Sequence, residues 1–339
     1  MSDKKYNVAV VGAGGLVGRT MVKVLEERNF PMNELFLFAT ERSAGKKVLF
    51  DGKEIEIKTI NEDSFKNIDI ALFSAGKQAS MVEAPLAALN GCIVIDNGSY
   101  WRMHEQVPLI VPEVNPDAVI NHKGIIANPN CSTIQLVVAL KPIQENFGLK
   151  RVIVSTYQSI SGAGQKGVDR MLNELNDKNF ISEHKHKVAF NTIFHEFVDD
   201  SGFSVEETKM LNEIRKIMQL PELPLAVTCV RLPTLGGHSE SVNIETDKPL
   251  SVVDLRNCLS SQKGITVIDN PTKEEYPTPQ IAGNTDDVYV GRIRLDNSVK
   301  NGAYLWVVSD NLRKGAATNA VQIAELIVEK KLFEFKTFV

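Results

Sequence analysis

The most constraining feature of this chain of 339 residues is the segment NVAVVGAGGLVGRTMVKVLEER near its beginning. A short apolar run is followed by a glycine-rich loop and then by apolar residues at helical spacing: Val17, Met21, Val22, Val24 and Leu25. This order predicts a strand, a tight loop and a helix, the repeating unit of an α/β sheet.

The rest of the chain indicates two kinds of sheet. Further apolar runs at Leu35–Phe38, Ile68–Phe73 and Cys92–Ile95, with a helix-length segment between the last two, favour a parallel, doubly wound sheet. Beyond Ile125 the apolar runs are longer and more alternating, which favours a mainly antiparallel sheet with a few helices. A helical pattern at 314–331 closes the chain and is expected to pack on the first domain. Two domains of about 150 residues each are expected.

Composition excludes several classes of protein. A hydrophobic fraction of 43% and a charged fraction of 24% are those of a soluble globular chain. The formal charge is −4 and the basic residues are dispersed, so we expect no nucleic-acid partner. No apolar run is long enough for a membrane span, and the first residues lead into a strand, so we expect a cytoplasmic protein without a membrane partner. The four cysteines are far apart and the histidines lack metal spacing, so we expect free thiols and no metal site.

The glycine loop is a candidate dinucleotide site. Its glycines are three residues apart, and Val17 holds the last position of the usual G-x-G-x-x-G pattern. Small residues between a strand and a helix let backbone N–H groups approach a pyrophosphate. We therefore expect cofactor contacts from Gly12, Gly15, Leu16, Val17 and Gly18, with a tight turn that only packs helix on strand as the alternative.

The segment FATERSAGKK bears on which dinucleotide is bound. An acidic residue at the end of the second strand binds the ribose hydroxyls of NAD, whereas an arginine suits the 2′-phosphate of NADP. Arg42 with Ser43 favours NADP, while the neighbouring Glu41 leaves NAD open.

The segment NPNCSTIQ places a cysteine where a long apolar run begins. If Asn130 is the N-cap, Cys131 is the first residue of the next helix. The positive end of the helix dipole lowers the pKa of a thiol there from roughly 8.5 and favours the thiolate. The polar neighbours Ser132 and Thr133 disfavour a purely structural cysteine, so the position predicts a nucleophile.

A nucleophile needs partners, and several turns offer them. His238 follows a turn with two glycines, and Arg231 ends the strand before it. Arg102, in DNGSYWR, is a plausible oxyanion clamp. Ser161 and Gly162 follow the strand that ends near Gln158 and form a second candidate anion loop.

The segment SVEETKMLNEIRKIM predicts a helix that starts with a capping box, Ser204 with Glu207. Its apolar stripe is expected at Leu211, Ile214 and Met218. From their spacing alone, Glu213 and Lys216 are expected to form an exposed ion pair.

Taken together, GAGGLVG, ERSAGKK, DNGSYWR, NPNCSTIQ, YQSISGAGQKG, LNEIRK, RLPTLGGHSESV and DNLRKGAATNAVQIAE resemble the aspartate-β-semialdehyde dehydrogenase family. These motifs occur in order over nearly the whole chain. The resemblance implies a Rossmann-type doubly wound parallel sheet domain (1–130 with 311–339) and an α+β catalytic and dimerisation domain (131–310), in a homodimer.

The resemblance also implies roles for individual residues. Cys131 would be the nucleophile beside Asn130, Gln158 would orient the substrate or thiol, and His238 would be the acid/base. Arg231 would bind the substrate α-carboxylate and Glu213 its α-ammonium, while Arg102 and Lys216 would bind phosphate. The NADP contacts would be Gly12, Gly15, Leu16, Val17, Gly18, Arg42, Ser43, Ser161, Gly162 and Asn319.

The activity implied is NADP-dependent reductive dephosphorylation of L-4-aspartyl phosphate to L-aspartate 4-semialdehyde, through a cysteine thioester. Such a step serves the biosynthesis of lysine (through diaminopimelate), methionine, threonine and isoleucine. Two alternatives remain open at this point: an N-acetyl-glutamyl-phosphate reductase, whose substrate has no charged amine to pair with Glu213, and a non-catalytic dinucleotide-binding homologue.

Overall fold

The computed structural model describes residues 4–177, 180–182 and 184–337, and the chain divides into two compact units. Unit 1 comprises Met1–Pro129 with Ala316–Val339, and unit 2 comprises Asn130–Gly315. The ends of the first predicted domain, 1–3 and 338–339, lie outside the described residues. Where the cofactor and catalytic roles divide along the chain stays a prediction.

Unit 1 is built on a seven-stranded sheet with the order β3-β4-β2-β1-β5-β6-β7. All neighbours are parallel except the β3–β4 hairpin. The strands are β1 (Tyr6–Val11), β2 (Met32–Phe38), β3 (Lys47–Phe50), β4 (Lys53–Lys58), β5 (Ile70–Phe73), β6 (Ile93–Asp96) and β7 (Ile125–Ala127).

The helices of unit 1 are α1 (Leu16–Glu27), α2 (Lys77–Leu89), α8 (Thr318–Lys330) and a 3₁₀ turn, Pro116–Asn121. Because side chains alternate along a strand, Val8 and Val10 of β1 lie on the face of the sheet that packs with α1 and α8. Phe73 lies on the opposite face and stacks on Phe65. The C-terminal helix therefore completes the core of unit 1, as the sequence pattern predicted.

Unit 2 contains a second seven-stranded sheet, ordered β12-β13-β14-β11-β8-β10-β9. Its strands are β8 (Leu149–Ser159), β9 (Ile193–Phe194), β10 (Leu225–Leu232), β11 (His238–Thr246), β12 (Ile265–Val267), β13 (Val288–Asp296) and β14 (Gly302–Ser309). The β8–β10 and β12–β13 pairs are parallel and the others antiparallel.

The helices of unit 2 are α3 (Cys131–Phe147), α4 (Gly164–Asn176), α5 (Val205–Met218), α6 (Val252–Ser260) and α7 (Pro279–Ala282). Unit 2 also has short 3₁₀ turns at Ile160–Ala163 and Pro271–Lys273, and a π-helical turn, Arg313–Ala317, includes its last residues. Residues 132–140 of α3 are all buried, and from Leu136 to Leu140 they are all apolar, as expected of a helix that runs through a core.

The two sheets confirm the predicted fold class: α/β, with a Rossmann-type parallel sheet and a separate mixed, mainly antiparallel sheet. Within the part of the chain that the structure describes, every helix is too short or too polar to cross a bilayer.

Candidate active site

Asn130 caps the helix that carries the candidate nucleophile. Its backbone is extended, and its Oδ1 accepts hydrogen bonds from the backbone N–H groups of Ser132 (2.9 Å) and Thr133 (3.4 Å). Cys131 is consequently the first residue of α3. The predicted N-cap is confirmed, and the thiol lies at the positive end of a 17-residue helix, which favours the thiolate.

Two buried carboxylates of α5 hold Asn130 in place. The Asn130 backbone N–H donates to Oε2 of Glu213 at 2.7 Å, and its Nδ2 donates to Oε1 of Glu206 at 2.7 Å. Only 1% of Glu213 and 7% of Glu206 is exposed. Hydrogen bonds to charged acceptors are stronger than neutral ones, so these two contacts fix both the position and the orientation of the cap.

The exposed ion pair expected for Glu213 and Lys216 is therefore wrong. The buried side of α5 carries Met210, Ile214 and Ile217, so the predicted stripe is displaced and Glu213 faces inward. Lys216 is half-buried, and burial lowers its pKa while Glu213 opposes that shift. The predicted capping box at the start of α5 is confirmed.

His238 lies against the candidate nucleophile. Its Nε2 is 3.2 Å from Sγ of Cys131, and its Nδ1 accepts a hydrogen bond from the backbone N–H of Ser159 at 3.0 Å. An accepting Nδ1 carries no proton, so the hydrogen-bond network gives the neutral ring its proton at Nε2. Burial, helped by the nearby Arg231 charge, lowers the pKa of His238 to about 3. The ring is therefore neutral near pH 7 and presents an N–H group to the sulfur.

Strand register brings the other site residues alongside His238. In the parallel β8–β10 pair, Arg231 lies opposite Gln158. In the antiparallel β8–β11 pair, Ser239 lies opposite Tyr157, so His238 is next to Gln158. The three residues thus form one row across three neighbouring strands, although Gln158 is far from the other two in the sequence.

Arg231 is held by two contacts within unit 2. Its Nη1 donates to the carbonyl of Ser159 at 3.0 Å, and its Nη2 is 2.7 Å from Nε2 of His195. Burial lowers the pKa of Arg231, and the charges of Glu206 and Cys131 oppose that shift. The guanidinium has five N–H donors, so these two contacts leave capacity for a planar carboxylate.

Gln158 contacts the first turn of α3. Its Nε2 donates to the Ser132 hydroxyl at 3.0 Å and to Oε1 of Glu206 at 3.3 Å. The amide is buried, and both partners adjoin the cap of the cysteine helix. These contacts suit a residue that orients the segment carrying the thiol.

Two glycines border the candidate site residues. A Cβ on Gly162 would lie 3.1 Å from Nη1 of Arg231 and 3.2 Å from Nε2 of His238. A Cβ on Gly315 would lie 2.9 Å from Cβ of Cys131. Gly162 therefore leaves open space over His238, and Gly315 packs directly on the cysteine. Ser161, beside Gly162, is buried and donates to Oδ1 of Asn311 at 3.0 Å.

The other three cysteines are different in character. Burial raises the pKa of the Cys92 and Cys229 thiols, and it raises that of Cys258 to about 11. All four thiols are free, as expected. Within the described ranges, no three histidine, cysteine, aspartate or glutamate side chains are grouped as metal ligands.

In unit 1 the glycine loop joins β1 to α1. A side chain on Gly12 would collide with the carbonyl of Ser74, and one on Gly18 with that of Gly12, so packing requires both glycines. Gly15 differs, because its Cβ would meet only the Gly12 oxygen at an ordinary 3.4 Å. Gly15 is the N-cap of α1 without a side-chain cap, and the first turn, with Leu16 and Val17, has no acidic residue. The backbone N–H groups of the first turn of α1 can therefore bind an anion.

The remaining predicted residues of unit 1 have varied surroundings. Ser43 packs against Gly14 of the glycine loop, whereas Arg42 and Glu41 are exposed. Arg102 is buried and its Nη2 donates to the carbonyl of Asn97 at 2.9 Å. Asn319 is fully buried and donates to Oδ1 of Asn128 and the carbonyl of Ile110. These contacts give Asn319 a structural role, and its cofactor contact stays a prediction.

Four residues that contribute to this site were not identified from the sequence: Glu206, His195, Ser159 and Gly315. Glu206 was visible only as part of an acidic first turn, and His195 as one histidine in a polar and aromatic segment. Ser159 acts through its backbone N–H, which leaves no mark on residue type. Gly315 lies in the motif LRKGAATNA, whose glycine was the only signal.

Comparison with known proteins shows which family this chain resembles. The family model described as "Semialdehyde dehydrogenase, NAD binding domain" matches residues 7–122, and "Semialdehyde dehydrogenase, dimerisation domain" matches residues 140–314. The aspartate-semialdehyde dehydrogenase of Aquifex aeolicus is 54% identical over 96% of this chain and 99% of its own length. That of Bacillus subtilis is 50% identical over 96% of this chain and 98% of its own length.

The chain belongs to the aspartate-semialdehyde dehydrogenase family. A crystal structure of aspartate semialdehyde dehydrogenase II from Vibrio cholerae, complexed with ASA, superimposes with a TM-score of 0.92 at 45% identity. The match covers 96% of this chain and 99% of that one. The protein is thus an oxidoreductase that uses a nicotinamide dinucleotide in amino-acid biosynthesis, and the two alternatives considered from the sequence are disfavoured.

We expect Cys131 to react with iodoacetamide faster than the other thiols. Near pH 7 its modification should exceed that of Cys258 by about 10-fold or more, because Cys258 is a half-exposed thiol whose raised pKa keeps it protonated. Time-resolved peptide mapping of the native protein measures both rates. In urea, where folding no longer distinguishes the thiols, the rates should converge. Equal rates in the native protein would contradict an activated Cys131.

We expect Gly162→Ala to lower kcat/KM by about 10-fold or more, because a methyl group there occupies the space beside Nε2 of His238. The Gly162 backbone lies outside the left-handed region, so the thermal midpoint should hardly change. Steady-state kinetics measures the change in kcat/KM, and thermal unfolding measures the midpoint. Ala163→Ser, at the next residue, which is exposed, is the control. Unaltered kinetics in Gly162→Ala would show that this space is not used in the reaction.

Proposed function

We propose that the enzyme catalyses the NADP-dependent reductive dephosphorylation of L-4-aspartyl phosphate to L-aspartate 4-semialdehyde, and the reverse reaction, through a thioester on Cys131. The observation that carries the proposal is the contact between Sγ of Cys131, at the first turn of α3, and Nε2 of His238 at 3.2 Å. The relatives are named for this semialdehyde. The product would enter the biosynthesis of lysine, methionine, threonine and isoleucine.

In the biosynthetic direction the Cys131 thiolate attacks the acyl carbon of the substrate. The carbon–oxygen bond to phosphate breaks, a thioester forms, and the departing phosphate takes up a proton. The bound dinucleotide supplies the hydride. Addition of the hydride to the carbonyl carbon of the thioester leaves a negative charge on the carbonyl oxygen. This oxyanion then expels the Cys131 thiolate and leaves the aldehyde, so the nucleophile is regenerated unchanged.

His238 acts on the oxygen that becomes negatively charged. With Nδ1 accepting from Ser159, its Nε2–H is a donor both to the resting thiolate and to the developing oxyanion. This role is narrower than the acid/base function expected from the resemblance, because a ring whose proton already lies at Nε2 has no lone pair there.

Recognition of the amino-acid end of the substrate follows from charge. Arg231 has donors left for a bidentate contact with the α-carboxylate. Glu213 is a buried carboxylate whose Oε2 accepts the Asn130 N–H, and a carboxylate can accept further bonds from an ammonium group. A substrate with an acylated nitrogen has no positive charge there for the Glu213 carboxylate to attract, which favours the aspartyl over the acetyl-glutamyl substrate.

Phosphate requires cations, and Lys216 and Arg102 are the proposed ones. Each is at least half-buried, which strengthens attraction to an anion compared with a surface residue. Substituting Lys216 and Arg102 one at a time tests the two proposed phosphate contacts separately.

The glycine loop of unit 1 fits a dinucleotide pyrophosphate, since packing does not explain Gly15 and the first turn of α1 lacks an acidic residue. Gly12, Leu16, Val17 and Gly18 would complete this contact. Arg42 and Ser43 favour NADP because an exposed arginine after β2 can pair with the 2′-phosphate. Ser161, Gly162 and Asn319 keep their proposed cofactor contacts.

A homodimer is proposed to form through the second sheet. Alternate residues of β8, Val152, Val154 and Thr156, are buried, whereas Ile153, Ser155 and Tyr157 on the opposite face are partly exposed. Trp306 of β14 lies on this open face and packs against Tyr157, with ring centroids 5.6 Å apart. The matching family model is a dimerisation domain, and a second copy would cover these rings. Free thiols suit the proposed cytoplasmic location.

The function is tested with purified protein, aspartate semialdehyde and a nicotinamide dinucleotide, by following absorbance of the reduced cofactor. We expect reduction of NADP that depends on added phosphate and is at least about 10-fold more efficient than with NAD. Cys131→Ser should abolish it. Phosphate-independent reduction, or full turnover by Cys131→Ser, would overturn the thioester mechanism, and equal use of NAD would overturn the NADP assignment.

We expect Tyr157→Arg to convert the dimer to monomer, because like charges would face each other across the symmetric sheet face. Sedimentation velocity at micromolar protein measures the change. Lys23→Glu, on the exposed surface of α1, is the control for an altered surface charge away from this face and should leave the dimer intact. A monomeric unaltered protein, or a Tyr157→Arg variant that sediments like it as a dimer, would contradict this interface.

A further inference from the structure

Glu206, the second residue of α5, lies where the polar contacts of unit 2 converge. Its Oε1 accepts hydrogen bonds from Nδ2 of Asn130 at 2.7 Å and Nε2 of Gln158 at 3.3 Å. Its Oε2 accepts from Nζ of Lys209 at 3.3 Å. The residue is 7% exposed, so three donors surround a carboxylate that is largely removed from water. Two of the three belong to the candidate active site.

The contact with Asn130 decides which way the Asn130 amide points. If the amide were inverted, its NH₂ group would face the N–H groups of Ser132 and Thr133, and its oxygen would face the Glu206 carboxylate. Glu206 accepts from Nδ2 and therefore leaves Oδ1 to cap the helix. The start of α3 at Cys131 thus depends on a carboxylate 76 residues further along the chain.

Glu206 also carries negative charge among cations. Burial raises its pKa, but Lys209, His195, the Asn130 hydrogen bond and Arg231 together outweigh burial and lower the pKa to about 2. In return, the Glu206 charge opposes the lowering of the Arg231 pKa by burial. The titratable groups of unit 2 near this site include His238 on β11, Arg231 on β10, His195 after β9, and Glu206, Lys209, Glu213 and Lys216 on α5. Lys314 is fully buried beside Gly315, which packs on Cys131.

The neighbouring Glu207 shows what a purely structural carboxylate does at this place. It is equally buried, at 6% exposed, and accepts from the backbone N–H groups of Ser204 and Cys229. These bonds cap α5 and join it to β10. Glu207 has none of the contacts with Asn130, Gln158 and Lys209 that Glu206 makes.

We propose that Glu206 is a positioning residue of the Cys131 site: its carboxylate orients the side-chain amides of Asn130 and Gln158 and balances the charge of Arg231. The inference rests on the proposed role of Cys131 as the nucleophile. It adds a residue that acts through others and touches no reacting atom.

Three variants test it: Glu206→Ala, Glu206→Gln and, as matched control, Glu207→Gln. The measurements are kcat and KM for aspartate semialdehyde, and the pH dependence of Cys131 alkylation by iodoacetamide. Glu206→Ala should lower kcat by about 10-fold or more, because the amides lose their common acceptor. Glu206→Gln keeps an acceptor oxygen and should recover kcat to within about 3-fold of the unaltered enzyme.

The charge effect has its own readout. Removing the negative charge beside Arg231 favours the Cys131 thiolate, so the midpoint of the alkylation profile should move to lower pH in Glu206→Gln, which keeps an acceptor oxygen for the Asn130 amide. Glu207→Gln should lower the thermal midpoint but leave both the alkylation midpoint and kcat unchanged.

An unchanged kcat in Glu206→Ala, an unmoved midpoint in Glu206→Gln, or the same losses in Glu207→Gln would overturn the inference. If Glu206→Ala fails to fold, the alkylation midpoint of Glu206→Gln decides, and an unmoved midpoint is the contrary result. Alkylation needs no substrate. A shifted midpoint in a protein that does not oxidise aspartate semialdehyde would therefore support the role of Glu206 while removing the proposed reaction.

Discussion

Much of unit 2 depends on one side-chain amide, that of Asn130. Its oxygen accepts from the first turn of α3, and its nitrogen and its backbone N–H donate to Glu206 and Glu213. A buried amide with all these groups satisfied has a single favourable orientation, because inversion would oppose donors to donors. The helix start at Cys131, and with it the electrostatic environment of the thiol, follows from that orientation.

The second constraint is strand register. Arg231, Gln158 and His238 adjoin one another because β10, β8 and β11 are neighbours in a fixed alignment. A slip of one residue would turn these side chains to the opposite, half-exposed face of the sheet. Behind this row, Cys229, Thr156 and Glu240 form a second, buried row that supports the first. The sheet thus presents the candidate site residues from regular strand backbone, as a site of defined geometry requires.

Local signals in the sequence were reliable, and long-range ones were not. The cap at Asn130 and the capping box of α5 were predicted because each depends on residues within one helical turn. Glu213 was expected to be exposed because spacing along a helix does not say which side packs inward, and its partner Asn130 is 83 residues away. The backbone N–H of Ser159 that sets the His238 proton could not be predicted, since it depends on how two strands align and not on a residue type.

The contact between Gly315 and Cys131 bears on the topology of the chain. Unit 2 is one continuous stretch, Asn130–Gly315, placed between two pieces of unit 1. A methyl group on Gly315 would lie 2.9 Å from Cβ of Cys131, so the points where the chain enters and leaves unit 2 are adjacent. Adjacent ends are the arrangement in which one domain can be inserted into another or circularly permuted. The candidate nucleophile therefore lies where the chain enters and leaves unit 2. A linker of a few residues could join the two ends of this unit.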